Sequence, residues 1–148
     1  MDIRELEQRV EDAWNAKDLE RFLSFYDPEH ELTTPGFTGK GVQGMREAWA
    51  LWNGAFPDNR ITTRTTVVEG STIATESTFQ GTHTGTLVGP EGAHMEPTGR
   101  SLTLHYATFE TARNDRMVRT VFFYDQLEML DQLGLAEPTG RHASAQSS

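Results

Sequence analysis

The sequence contains no cysteine among its 148 residues. Disulfide bonds, thiolate nucleophiles and zinc or iron–sulfur sites held by cysteine are therefore excluded. Long apolar runs are also missing, because no stretch approaches the ~18 residues that a membrane span needs. The chain opens on charged residues without the apolar stretch of a signal peptide, and we therefore expect a cytoplasmic protein.

Positive charge is scarce, since 13 Lys and Arg residues stand against 22 Asp and Glu residues and the net charge is −9. A surface of this sign repels phosphate groups, so we expect no nucleic-acid partner and no membrane partner. The five histidines include no pair at the helical spacing of metal ligands, which argues against a metal site. A Gly-x-Ser-x-Gly nucleophile elbow is absent as well.

What the first 60 residues do contain is helical periodicity. Apolar residues recur every three or four positions, which predicts helices over 3–15, 19–26 and 45–56. Asp18 has the position of an N-cap for the second helix. A short extended piece is expected at 30–34, and a glycine-rich loop follows it to the start of the third helix.

From residue 61 onward the sequence is rich in threonine and valine, as strands are. The predicted strands are 61–69, 71–86, 101–111 and 117–124, arranged as two hairpins. A loop rich in glycine and proline at 89–99 separates the hairpins, and a last helix is expected over 125–133. Helices followed by a four-strand meander predict an α+β fold, with a curved antiparallel sheet wrapped over the N-terminal helices. The domain is expected to span 1–136, followed by a disordered tail at 137–148.

Four short motifs follow one another through the chain. They are Phe56-Pro57-Asp58, Gly81-Thr82-His83-Thr84-Gly85, Pro97-Thr98-Gly99-Arg100 and Asp125-x4-Leu130-x-Gln132-Leu133-Gly134. In this order the set resembles the SnoaL-like polyketide cyclase (ester cyclase) family, within the nuclear-transport-factor-like superfamily. The resemblance covers about residues 5–136.

The resemblance implies a cone-shaped α+β barrel with a deep pocket for a small-molecule substrate, no cofactor and pairing as a homodimer. Family cyclases of natural product biosynthesis close a ring by an intramolecular aldol reaction, using general acid–base catalysis. Relatives on the same fold include hydroxylases, isomerases, epoxide-opening enzymes and members without known activity. The fold alone therefore does not decide the function.

The sequence departs from the family at the two positions that carry the aldol chemistry. The acid–base aspartate of the family lies three residues before the aspartate of the closing motif, and here that position is Phe122. The family's histidine, fourteen residues earlier, is Thr108. Because a phenyl ring cannot exchange a proton, we predict that the aldol mechanism of the family does not apply to this chain.

His105 and Asp125 are the first candidates for catalysis. A three-residue turn at 114–116 would place them opposite each other with Cβ atoms about 5 Å apart, so that the carboxylate raises the imidazole pKa toward neutral pH. A two-residue turn would instead place His105 opposite Tyr124. Asp125 has a structural alternative, because Glu128 three residues later completes a capping box for the last helix.

The same three-residue turn pairs Tyr106 with Tyr124 and Thr108 with Phe122, on the face opposite His105. The family's catalytic pair occupies that face, so the resemblance implies that these four side chains line the pocket. His105 would then lie on the outer face or in a dimer contact. A bulge would reverse the facing, and both arrangements stay open.

His83 is the third catalytic candidate. It shares a strand face with Gly81 and Gly85, whose missing side chains allow a ligand to approach closely. The alternative is a buried histidine that the backbone satisfies. The expected substrate-binding residues are Tyr106, Tyr124, Phe122, Thr108, Trp14, Trp52 and Phe56. Glu110 and Arg119 are interpreted as a surface pair across the hairpin.

The leading hypothesis is a cofactor-independent enzyme that uses acid–base catalysis for cyclisation, isomerisation or epoxide opening of a polyketide-like or aromatic substrate. His105 or His83 would act as the base, and a tyrosine hydroxyl would stabilise the developing charge. One alternative is a non-catalytic module that binds a ligand or dimerises. Another is a cofactor-free hydroxylase whose substrate reacts with oxygen directly.

Overall fold

The N-terminal helices begin where the sequence supplies caps. The Asp2 carboxylate accepts a hydrogen bond from the backbone N–H of Arg4 at 2.8 Å, and Asp18 accepts one from that of Arg21 at 3.2 Å. These bonds satisfy N–H groups that have no partner within the helix. The computed structural model describes residues 1–89 and 92–135. Its helices are Ile3–Asn15 (α1), Leu19–Leu23 (α2), Gly41–Ala55 (α3) and Gln126–Gln132 (α4).

The strands form one curved sheet and one small ribbon. The sheet consists of Tyr26–Thr34 (β1), Phe37–Lys40 (β2), Arg60–Glu69 (β3), Thr72–Thr82 (β4), Ser101–Arg113 (β7) and Arg116–Tyr124 (β8). The ribbon pairs Leu87–Val88 (β5) with His94–Met95 (β6). The strand order in the sheet is β2-β1-β8-β7-β4-β3. The predicted α+β fold, with a curved sheet over N-terminal helices, is confirmed.

The sheet differs from the predicted meander in its size and in one pairing. It has six strands instead of four, because β1 and β2 add to it at the edge of β8. The β1–β8 pair is parallel, whereas the other neighbouring pairs are antiparallel. The segment predicted as a short extended piece is thus a nine-residue strand that carries buried side chains into the core.

The glycine-rich segment that was predicted to be a loop is regular structure. It forms β2 and the first turn of α3, which begins at Gly41. A Cβ atom on Gly39 would lie 2.8 Å from the Cα atom of Gly44, so strand and helix touch backbone to backbone there. Glycine is required at these two positions because a side chain would prevent the close contact, and not because the chain needs flexibility there.

The β7–β8 hairpin combines a short turn with a register shift. Arg113 pairs with Arg116, so the turn has two residues, Asn114 and Asp115, and both have the positive φ of a type I′ turn. The register then shifts next to Thr111. Beyond the shift, Tyr106 pairs with Tyr124 and Thr108 with Phe122. This is the register expected of a three-residue turn, and it is reached through a bulge.

Aromatic rings join the helices to one another beneath the sheet. The ring centroid of Trp14 in α1 lies 5.4 Å from that of Phe22 in α2 and 5.0 Å from that of Trp49 in α3. Tyr26, at the start of β1, lies 5.1 Å from Phe22. Such tilted and edge-to-face pairs stabilise the helical layer beyond the area that they bury.

The 89–99 segment is not loop throughout, because it contains β6, which pairs with β5 just before the segment. Residues 90–91 and the predicted tail, 137–148, lie outside the described residues. Within residues 1–89 and 92–135 no helix has the length and apolar character needed to cross a membrane.

Candidate active site

A cavity of about 120 Å³ lies between the helical layer and the inner face of the sheet. Both Tyr106 and Tyr124 line it, so the space expected beside these two residues is present. Six of the seven predicted substrate-binding residues line this cavity, namely Trp14, Trp52, Tyr106, Thr108, Phe122 and Tyr124. Phe56 does not, because its fully buried ring packs against Phe79 and His83 at centroid distances of 5.5 and 5.4 Å.

The strand register sorts the cavity wall into an aromatic end and a polar end. At the aromatic end, the ring of Trp52 lies 5.3 Å from that of Phe79 and 5.5 Å from that of Tyr124. Moving along the inner face of β7, the side chains become polar through Thr108 to Glu110. The cavity can therefore hold an aromatic ring while it presents ionisable groups to one edge of that ring.

Glu7 and Glu110 form the polar end. Glu7 lies in α1, and its Oε2 atom is buried without a hydrogen-bond partner. Burial raises the pKa of Glu7 well above its usual value, and the neighbouring Glu110 carboxyl raises it further. Glu110 is only 4% exposed. Two neighbouring carboxyl groups do not both ionise readily, which favours the protonated form of Glu7.

Glu110 is held by a chain of side-chain hydrogen bonds. The Thr120 hydroxyl donates to Oε2 of Glu110 at 3.0 Å, and Nε2 of His30 lies 2.7 Å from the same hydroxyl oxygen. Because Thr120 uses its one proton toward Glu110, Nε2 of His30 is the donor in the second bond. Burial lowers the pKa of His30 to about 4, so the ring is neutral at neutral pH.

Two tyrosines of the cavity wall keep their protons at neutral pH. Burial raises the pKa of Tyr26 well above its usual value, and the carboxyl groups of Glu110 and Glu7 add to the shift. Burial also raises the pKa of Tyr106, where Glu7 is the next cause. Both hydroxyls are therefore hydrogen-bond donors toward a ligand rather than bases.

The side chains of His105 and Asp125 bond to other partners and not to each other. His105 lies on the outer face of the sheet, where it is exposed and its Nδ1 lies 3.3 Å from the Thr78 hydroxyl. The Asp125 carboxylate accepts a hydrogen bond from the backbone N–H of Glu128 at 3.1 Å, which caps α4. The structural interpretation of Asp125 is the one that its contacts support.

His83 is buried outside the cavity lining. Its Nδ1 accepts a hydrogen bond from the backbone N–H of Thr98 at 3.2 Å and lies 3.0 Å from the Thr98 hydroxyl. Its own backbone N–H donates to the Arg100 carbonyl at 2.9 Å. Burial lowers the pKa of His83, so it is neutral. These contacts join the second family motif, Gly81–Gly85, to the third, Pro97–Arg100.

Sequence reasoning missed Glu7 and misread Glu110. The interpretation of Glu110 and Arg119 as a surface pair is wrong, because the register places Glu110 opposite Thr120 and buries it. A signal for Glu7 was present, since it lies four residues after Ile3 and seven before Trp14, on the apolar stripe of α1. Glu110 likewise follows Tyr106 and Thr108 at the period of a strand face.

His30 and Thr120 were also missed as site residues. The fully buried side chain of His30 lies on the same inward face of β1 as that of Leu32. Thr120 likewise shares the inward face of β8 with Phe122. The polar groups of His30 and Thr120 meet only because β1 and β8 pair in parallel, which the sequence did not predict. Among residues 1–89 and 92–135, no group of three or more His, Asp or Glu side chains is arranged to hold a metal ion.

Solved structures with the same fold cover nearly the whole chain. AclR from Streptomyces galilaeus, described as a candidate hydroxylase, has 19% identity and a TM-score of 0.78, over 98% of this chain and 92% of its own. IdmH from Streptomyces antibioticus, described as a candidate polyketide cyclase, has 25% identity and a TM-score of 0.73, over 88% and 97%. TerC, co-crystallised with polyporic acid, has 17% identity and a TM-score of 0.71, over 88% and 96%.

No curated protein sequence matches the chain. The sequence pattern of the SnoaL-like polyketide cyclases, by contrast, matches residues 4–133. This range includes both carboxyl residues of the cavity, the strands of the curved sheet and α4. The chain therefore belongs to the SnoaL-like polyketide cyclase family.

Proposed function

We propose that the protein is a cofactor-independent enzyme that transfers protons on an aromatic or polyketide-like small molecule, with Glu7 and Glu110 as its acid–base pair. The observation that carries the proposal is the position of these two carboxyl groups at the polar end of a cavity lined mainly by aromatic and aliphatic side chains. Ionisable groups with shifted pKa values that line a pocket are characteristic of catalytic sites.

The environments of the two carboxyl groups favour different roles. Glu7 has a raised pKa, which favours its protonated form, and a buried Oε2 atom without a hydrogen-bond partner. Glu110 accepts a hydrogen bond from Thr120, which suits a carboxylate. Pairs of titratable groups with divergent environments are how enzymes separate the acid from the base.

The proposed step is enolisation of a ketone. Glu110 removes a proton from the carbon next to the carbonyl group, and the C–H electron pair forms the carbon–carbon double bond of the enol. Glu7 gives its proton to the carbonyl oxygen, so no net charge develops on the substrate. Returning a proton to a different carbon gives an isomerisation, whereas attack by the enol carbon on a second carbonyl group gives a cyclisation.

Glu7 and Glu110 thus replace His105 and His83 as the proposed acid–base groups. This replacement also accounts for the departure from the family's aldol chemistry. Glu110 lies two residues beyond Thr108 on the same inward face of β7. The acid–base groups are thus displaced by one step along the strand, toward α1, while Phe122 and Thr108 remain as cavity wall.

The proposal is tested with phenylacetone, a single-ring ketone whose exchangeable protons report on enolisation. Exchange of its benzylic protons in D₂O is followed by proton NMR with wild-type protein, Glu110→Gln and Glu7→Gln. We expect Glu110→Gln to slow the catalysed exchange by about 10²-fold to 10⁴-fold, the range for loss of a general base. The matched control is His83→Gln combined with His105→Gln, which should leave the rate within about twofold because neither histidine lines the cavity.

Three results would count against this proposal. Exchange in the wild-type protein that is no faster than in Glu110→Gln would exclude catalysis by the pair and favour a ligand-binding module. A rate that depends on the two histidines and not on Glu110 would restore the earlier assignment. Oxygen uptake with a reduced quinone, unaffected by Glu110→Gln, would favour the hydroxylase alternative.

We also propose that the protein is a homodimer through the outer face of the sheet. Phe109 and Phe123 lie on that face with exposures of 43% and 56% and with ring centroids 6.3 Å apart. Exposed aromatic side chains that adjoin one another favour contact with a partner. Light scattering should give twice the chain mass for the wild-type protein and the chain mass for Phe123→Lys. A monomeric wild-type protein would refute the dimer.

Cytoplasmic location stays a prediction.

A further inference from the structure

The inner cavity is too small for a molecule with several rings. Its volume is about 120 Å³. A cavity of roughly 150 Å³ in another protein binds one benzene molecule, and drug-sized ligands need about 300–1,000 Å³. One aromatic ring is therefore the most that can lie beside Glu7 and Glu110. Any larger substrate must extend beyond the cavity.

A second and much larger space adjoins the cavity. This outer groove has a volume of about 890 Å³ and lies between α3, α4 and the β5–β6 ribbon. Trp52 and Tyr124 line both the groove and the cavity, so these two rings lie between the two spaces. The aromatic end of the cavity is the end that faces the groove.

The wall of the outer groove is mainly apolar. Its large apolar side chains include Phe37, Leu51, Leu87, Met95, Leu127 and Leu130. Leu127 is 62% exposed and Val88 is 41% exposed, which is costly unless something covers them. Glu47 is the charged side chain among the described lining residues. The groove therefore matches an uncharged, apolar ligand.

We propose that the substrate is an elongated, uncharged molecule whose one oxygen-bearing ring enters the cavity while its apolar body passes Trp52 and Tyr124 into the outer groove. The orientation of the ring rests on the proposed function, because the carboxyl groups lie at the polar end of the cavity. The position of the body rests only on the volumes and on the apolar wall. Specificity for length would thus reside in the groove, and chemistry in the cavity.

A series of 4-alkylphenols tests the groove without knowledge of the substrate. Phenol, 4-ethylphenol, 4-butylphenol and 4-hexylphenol are titrated by calorimetry against wild-type protein. Once the chain passes the two rings, each added methylene should tighten binding about threefold, as burial of a methylene does. An affinity that stays flat beyond 4-ethylphenol would overturn the proposal.

Leu127→Asp identifies where the alkyl chain lies. It should weaken 4-hexylphenol about tenfold and leave phenol unchanged, because only the chain reaches α4. Val67→Asp is the matched control, since Val67 is 61% exposed and does not line the groove. Equal effects of the two variants on 4-hexylphenol would refute the groove as the chain site.

The outcomes separate this inference from the proposed function. Glu110→Gln should slow exchange on phenylacetone by about 10²-fold to 10⁴-fold and still show the gain in affinity with chain length. A protein that catalyses exchange but shows no gain with chain length would keep the proposed function and reject the elongated substrate. A protein that shows the gain without catalysis would be a carrier of elongated ligands, which would reject the acid–base pair alone.

Discussion

The motif region and the carboxyl region of the molecule use their polar side chains in different ways. In the motif region, Asp58 accepts hydrogen bonds from the backbone N–H and the hydroxyl of Thr82, and Gln132 bonds both backbone polar groups of Thr103. In the carboxyl region, Glu110 is bound through the Thr120 side chain. Polar groups that bond the backbone hold segments in place, whereas groups bonded only to side chains at a cavity remain available for chemistry. Family motifs therefore identify the fold here and do not contain the two carboxyl groups of the proposed acid–base pair.

The largest expected effect lies in the motif region, at Gly85. A Cβ atom there would lie 1.8 Å from the Gly54 carbonyl oxygen, which no relaxation of a side chain can relieve. We expect Gly85→Ala to lower the free energy of unfolding by about 3–5 kcal/mol, or to prevent folding. Urea denaturation measures the loss. Any folded fraction should keep the wild-type rate of phenylacetone exchange per molecule.

Gly54→Ala is the matched control for Gly85→Ala. Nothing lies within 4 Å of a Cβ atom on Gly54, and the residue is inside α3. Alanine in a helix is more stable than glycine by roughly 0.5–1 kcal/mol, so this variant should be more stable than wild type. Equal stability of the two variants would mean that the contact between Gly85 and Gly54 is not close.

The next effect lies in the carboxyl region and depends on pH. His30 is neutral and buried with a pKa of about 4, whereas in the unfolded chain its pKa is about 6.5. Below pH 6.5 the His30 ring binds a proton in the unfolded state and stays unprotonated in the folded state. The free energy of unfolding should therefore fall by up to about 3 kcal/mol as the pH falls from 7 to 4.

Urea denaturation at pH 7 and pH 4.5 tests this dependence. His30→Gln should remove most of the fall in stability between the two values. His105→Gln, at an exposed position, should retain the wild-type fall. The contrary result is a difference in stability between wild type and His30→Gln that is the same at pH 4.5 and at pH 7. It would show that His30 is not a buried neutral base.

Glu7 should give a dependence of opposite sign. Its pKa is raised in the folded state, so above the ordinary glutamate value the unfolded state releases a proton that the folded state retains. The stabilisation is complete below that value and is lost as the pH rises through the folded pKa. We expect Glu7→Gln to be more stable than wild type at pH 8, by roughly the 0.5–2 kcal/mol of single stabilising substitutions, with a smaller difference at pH 4.5.

Glu5→Gln is the control for Glu7→Gln, because Glu5 is exposed on the same helix and pairs with Arg9 at 3.2 Å. It should change stability by less than about 0.5 kcal/mol at either pH. A Glu7→Gln variant that loses stability at pH 8 would mean that Glu7 is ionised and compensated, which would remove it as the acid.

The fold was predictable because its signals are repeated. The stripe from Ile3 to Trp14 and the alternation along 101–111 each repeat one period several times, so one unusual residue does not change the prediction. The loop prediction for the glycine-rich segment was wrong because no repeated signal marks its structure. Gly39 and Gly44 are shaped by a contact between two segments, and composition cannot distinguish such a contact from a flexible loop.

The site was predicted only in its apolar half. Aromatic residues such as Trp52 and Tyr124 line a cavity wherever the sheet curves over helices, so composition and register found them. The polar half depends on one bulge beside Thr111 and on the parallel pairing of β1 with β8. Neither has a local signature, and together they determine which side chains meet Glu110.

The smallest expected effect concerns Thr120, which touches the base and not the substrate in the proposed step. Its hydroxyl connects Glu110 to His30, so Thr120→Val keeps the shape and removes both hydrogen bonds. We expect kcat for phenylacetone exchange to fall about tenfold, the loss of roughly 1.4 kcal/mol for one hydrogen bond to a charged group. KM should stay within about twofold, because valine keeps the shape of the cavity wall at this position. Thr120→Ser restores the hydroxyl and should recover kcat, whereas a valine variant with raised KM and unchanged kcat would assign Thr120 to binding.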